Sequence, residues 1–104
     1  MILSTSDKIE GREIAETIGI VRGNAARARG IGYDISAGIR NLFGGAVPEY
    51  SNLMTQTRDE ATAQMVQAAE AAGADAIVAV RYTTSMIATG VSEILAFGTA
   101  VKLR

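Results

Sequence analysis

Two carboxylates stand where a folding chain would rather place hydrocarbon. With residues 13–23 and 91–103 read as strands, Glu16 shares the alternating positions of Ile14, Ile18 and Ile20, and Glu93 shares those of Val91, Leu95 and Phe97. A carboxylate on such a face is costly unless a cation or several donors meet it, although a strand bulge would turn it outward. Arg22 and Arg81 are the strand-borne cations that can serve. Glu16, Glu93, Arg22 and Arg81 therefore read as an anion or acid/base site, or, the more ordinary outcome, as ion pairs that fix sheet register or a subunit contact. A second candidate is a loop holding Arg22, Asn24, Arg27 and Arg29. Its planar guanidinium forks suit a phosphate or carboxylate ligand. Against it stand a simple solvated loop and pairing of these arginines with a neighbour's acidic helix. No Lys follows a Gly at the Walker spacing, and Gly30 and Gly32 lack the third glycine of a dinucleotide fingerprint.

Other chemistry is thinner. The thioethers of Met54, Met65 and Met86 suit a soft ion such as Cu(I), yet Met54 and Met65 fall on a helix face expected to be core, where flexible Met is a common filler. Asp59 and Glu60 are adjacent on that helix and do not converge on one cation; with Glu70 they read as a solvated face. No residue is assigned to a metal, and the sequence does not identify a cofactor. The hydroxyls of Thr83, Thr84 and Ser85 and the phenols of Tyr33, Tyr50 and Tyr82 would need an activating base. The chain has no His and no Cys, and its only lysines are Lys8 and Lys102. A thiolate nucleophile, a disulfide framework, a zinc ribbon and the usual general base are all excluded.

The frame for these residues is a single domain, 1–104, with 48% hydrophobic and 20% charged residues, an ordinary composition for a folded globular chain. At this size about 65% of the unfolded chain's surface is buried on folding, enough for one modest core. Lys and Arg number 10 against 11 for Asp and Glu, a net charge of −1, which argues against nucleic-acid binding by bulk electrostatics. The charge is nonetheless segregated: Arg22, Arg27, Arg29 and Arg40 precede a stretch holding Glu49, Asp59, Glu60, Glu70 and Asp75. No apolar run approaches the roughly 18 residues of a membrane span, and the first residues do not resemble a signal peptide, so the expected location is cytoplasmic.

The elements read as follows. Residues 13–23 make a strand, and NAARARGIGYD continues as a loop. Asp34 caps a short helix carrying Ile35, Ile39, Leu42 and Phe43, ended by Gly44 and Gly45. Pro48 separates it from a long helix starting near Ser51 or Asn52, whose Met54, Thr57, Ala61, Met65, Ala68 and Ala72 recur every three or four residues before a Gly73 cap. Strands over residues 76–86 and 91–103 follow, joined by a hairpin at residues 87–90. In the last strand the inward positions read as Val91, Leu95, Phe97, Val101 and Leu103, with Ser92, Ala96, Gly98 and Lys102 opposite. The result is an α+β, two-layer fold: a small antiparallel sheet of three strands covered by one long and one short helix. AIVAV at residues 76–80 is apolar on both parities, so it needs cover on two faces, and the second cover is expected from another subunit.

IGIVRGNAARARGIGYDISAGIRNLFGG, the helix ending in EAAGADAIVAVRY, and then TTSMI and EILAFGTAV resemble, in that order and over nearly the whole chain, the YbjQ-like family, labelled as heavy-metal-binding domains. That resemblance implies a compact subunit like that of dodecin, assembling into a homopentameric ring whose sheets form a barrel-like core. The absence of Cys and His departs from the metal label. The expected function is a homopentameric binding or scaffolding protein with an anionic small-ligand site at a pore or subunit interface, formed from Arg22, Arg27, Arg29, Glu16, Arg81 and Glu93. The alternatives are a heavy-metal-binding or metal-sensing module, and an enzyme with an intersubunit Glu/Arg site. The expected partners are further copies of the chain and an anionic small molecule, with no nucleic acid and no membrane span.

Overall fold

The computed structural model describes residues 1–28 and 48–104. The expected short helix after Asp34, together with Arg29, lies outside the described residues. The elements are β1 (Ile2–Leu3), β2 (Ile14–Ala28), α1 (Pro48–Ala71), β3 (Ala76–Ala88) and β4 (Val91–Leu103). They build a four-stranded sheet in the order β1-β3-β4-β2, with β1 parallel to β3 and the other pairs antiparallel. The sheet is thus mixed rather than purely antiparallel, because Ile2 and Leu3 add a short edge strand beside Ala76 and Ile77.

Three boundaries differ from the sequence reading, each for a physical reason. First, β2 runs on to Ala28, so NAARA is strand and not loop. Asn, Ala and Arg are poor strand formers, but a thirteen-residue β4 offers a continuous ladder down to Ala28↔Val91, and pairing overrides propensity. Second, α1 starts at Pro48 itself. Proline lacks the N–H that the first helical turn would leave unpaired anyway, so here it opens the helix instead of standing before it. Third, the hairpin loop tightens to Thr89 and Gly90, with Gly90 at φ 72°.

The far end of α1 follows its sequence signal closely. Gly73 sits at φ 80°, its N–H donates to the Glu70 carbonyl at 3.0 Å, and the Ala74 N–H donates to the Ala69 carbonyl at 3.0 Å. These are the two bonds of a Schellman cap. Thr57 faces the core fully buried, with its hydroxyl donating to the Leu53 carbonyl at 2.7 Å, which removes the penalty of hiding a polar group.

The helix packs on the face of the sheet that hydropathy assigns to solvent. Ser92, Ile94, Ala96, Gly98 and Ala100 of β4 are buried, while Val91, Leu95, Phe97 and Thr99 on the other face are half-buried. Small side chains win the helix because they let its backbone come close. A Cβ on Gly23 would overlap the Ala61 carbonyl oxygen and lie 2.6 Å from the Met65 nitrogen. The core under α1 is built from Val21, Ala25, Ala61, Met65, Ile77 and Ile94 among others.

The second face of AIVAV is covered by the chain itself. Ala76, Val78 and Val101 form a separate cluster against which Ile9, Ile14 and Leu103 pack. The Arg81 guanidinium holds this N-terminal segment in place by donating to the Thr5 carbonyl at 2.8 Å. No second subunit is needed there, which corrects the expectation. Beyond Val80 the situation reverses: every residue of β3 from Arg81 to Ala88 is exposed.

Candidate ligand site on the open sheet face

Pairing in an antiparallel sheet puts partners on the same face, so register determines which functional side chains meet. Phe97 lies between Arg81 and Arg22, Leu95 between Thr83 and Asn24, and Glu93 between Ser85 and Ala26. These three rows occupy the face away from α1, past the part that Ile9 and Ile14 cover. Within them Arg22, Asn24, Glu93 and Leu95 line a concavity of about 320 Å³. Arg22 is exposed, Glu93 is half-buried, and neither side chain makes a hydrogen bond or ion pair with another of the described residues.

The other sequence candidates go elsewhere. Glu16 is not on a buried face. Register shifts between Ile14 and Glu16 and again between Thr17 and Gly19 turn it outward, where its side chain is 62% exposed and 3.9 Å from Lys102 Nζ. Arg81 is committed to the Thr5 carbonyl and to the Val80 carbonyl, both at 2.8 Å, and so does not meet Glu93. Arg27 falls on the helix side of β2, where its Nη2 pairs with Glu60 Oε2 of α1. Basic strand thus meets acidic helix within one chain rather than across an interface. Both side chains of this pair are more than a third exposed, so its contribution is expected to be small, on the order of 0.2–1 kcal/mol. A double-mutant cycle with Arg27→Ala and Glu60→Ala should give a coupling in that range that shrinks between low and high salt.

Leu95 was assigned to the core by its parity and instead forms the floor of the concavity. The signal that would have found it is the run of small residues on the opposite parity of β4, Ser92, Ala96, Gly98 and Ala100, which marks the face that a helix approaches. The methionines behave as fillers: Met65 is fully buried and Met54 packs against the same core, while Met86 is exposed.

A family model described as "Putative heavy-metal-binding" matches residues 1–104. The chain belongs to the YbjQ family. It is 54% identical over 104 residues to a UPF0145 protein of Halorubrum lacusprofundi, with both chains covered in full. It is 52% identical over 103 residues to a UPF0145 protein of Vibrio parahaemolyticus, covering 99% of this chain and 98% of the other. Its fold is similar to a crystal structure from Pediococcus pentosaceus, a protein with unknown function of the DUF74 family. The TM-score is 0.71 at 18% identity, covering 100% of this chain and 98% of that one. At that identity the likeness speaks for the α+β fold alone.

Among the described residues the YbjQ family's metal description finds no donor set. The sequence has no Cys and no His, and among the described residues no three Asp or Glu side chains come together. Soft metals select thiolate, thioether and imidazole, and the thioethers of Met54 and Met65 are spent on packing. No helix among the described residues is long and apolar enough to cross a membrane.

Proposed function

We propose that this chain is a non-enzymatic binding or scaffolding protein that works as a ring of five identical subunits and holds a small anionic molecule at Arg22. The observation that carries the ligand half is the concavity on the open sheet face, where an arginine fork without a partner among the described residues stands beside an amide and an apolar floor. A cytoplasmic setting fits this reading.

The assembly half is supported by the sheet edges. β1 shields only the first residues of β3, so from Arg81 to Ala88 the outer edge of β3 has no strand beside it among the described residues, nor has the outer edge of β2. The β3 edge carries exposed Tyr82, Met86 and Ile87, and Ile20 of β2 is 80% exposed. Unpaired apolar edges are a hazard unless a neighbour covers them. Two different edges joined head to tail generate a ring if the rotation closes. The count of five rests on the family resemblance.

Native mass spectrometry of the untagged protein tests both halves. Five subunits are expected, and Met86→Glu combined with Ile87→Glu should shift the population to smaller species. A monomer at micromolar concentration overturns the ring.

A further inference from the structure

Resting on the reading of Arg22 as an anion site, we infer that the ligand is a short zwitterion, with a carboxylate at one end and an ammonium at the other. The register carries this step. Arg22 stands in the Phe97 row and Glu93 two rows further along the same face, roughly 13 Å away measured along the strand. At that offset the two opposite charges do not form an ion pair with each other, yet both line the same concavity.

A ligand that is only an anion answers Arg22 and leaves the Glu93 carboxylate in the same concavity without a counter-charge. A ligand that is only a cation answers Glu93 and leaves the Arg22 guanidinium unmatched in turn. A molecule with both charges places its carboxylate on the guanidinium fork and its ammonium on Glu93, so each charged end meets its opposite. Leu95 lies in the row between them, where it receives methylenes, and Asn24 opposite it supplies an amide for the carboxylate. Side chains on a sheet stand roughly perpendicular to it, so the offset of the rows, less a hydrogen bond of about 2.8 Å at each end, leaves roughly 7 Å for a short chain of methylenes. The class is therefore an amino acid whose ammonium and carboxylate are a few carbons apart.

The test uses the full chain in its native assembly, isotope-labelled, with amide shifts or calorimetry as readout. The probes are ω-amino acids of two to six carbons, each compared with its matching monocarboxylate and matching amine. At least one amino acid is expected to bind at least tenfold more tightly than its carboxylate, with shifts centred on residues 22–24 and 93–95. Glu93→Gln should abolish that preference while leaving weak carboxylate binding, and Arg22→Gln should remove both, each variant having first been shown by native mass spectrometry to assemble as the parent does. Equal affinity for amino acid and carboxylate, or a preference that survives Glu93→Gln, overturns the zwitterion and leaves the anion site standing. No shift with any probe, or tightest binding by the amine alone, overturns the anion site as well.

Discussion

Gly23→Ala is expected to destabilise the fold heavily, although it adds a single methyl group. The new Cβ would overlap the Ala61 carbonyl oxygen and approach the Met65 nitrogen at 2.6 Å and the Gln64 Cβ at 2.7 Å. Two of these three neighbours are helix backbone, which cannot swing aside as a side chain can. The helix must lift off β2 to make room, and with it goes the hydrogen bond from the Asn24 N–H to Gln64 Oε1. Overpacking of this kind costs about 1–3 kcal/mol or more. With roughly 4–8 °C per kcal/mol for a domain of this size, thermal unfolding should show the loss clearly. The comparison must be made at one protein concentration, because assembly makes melting temperature concentration-dependent. Gly98→Ala is the informative companion: its nearest obstacle is the Ile77 Cγ2 methyl at 2.6 Å, a side chain, so a smaller loss is expected there. Equal, negligible losses at both positions would contradict the close helix approach.

Met65→Ala should be similarly damaging by the opposite route. Met65 is fully buried in the cluster under α1, beside Ile77 and Ile94, and truncation leaves a cavity that a helix pinned over glycine cannot collapse into. The expected cost is about 2–5 kcal/mol, read from chemical denaturation. Met65→Leu conserves volume and should cost under about 1.5 kcal/mol. This pair also bears on the family's metal description. A thioether that only fills space is replaceable by leucine, whereas a thioether ligand is not. Retention of soft-metal affinity in the parent and its loss in Met65→Leu would overturn the assignment of Met65 to packing alone.

Much of the fold is legible from residue pattern because local rules and packing agree there. The period of α1, its Gly73 cap and the turn at Gly90 follow from the chain's own chemistry. Where they disagree, reading fails. NAARA looks like loop by propensity and is strand because β4 lies alongside it. Leu95 and Phe97 look like core by hydropathy, but the helix chose the parity carrying Ala96, Gly98 and Ala100, since distance between backbones mattered more than side-chain area. The candidate site shows the same limit. Arg22 and Glu93 stand out as charges on strands, yet nothing in the chain's pattern sets the β2–β4 register that brings them to one concavity, or the bulges that send Glu16 out to Lys102.

The order of strands also governs how the molecule reaches its native state. β3 and β4 are neighbours in sequence and zip together across a two-residue turn, whereas β2 finds β4 only after the chain has closed a loop that contains the whole of α1 and β3. Local pairing is fast and distant pairing is slow, since loop closure must be completed before the ladder rewards it. During that interval the hairpin presents the vacant side of β4, which accepts a β2 segment from any copy nearby. Concentrated refolding should therefore trap exchanged species in which one chain's β2 completes another's sheet, while dilute refolding lets each chain complete its own.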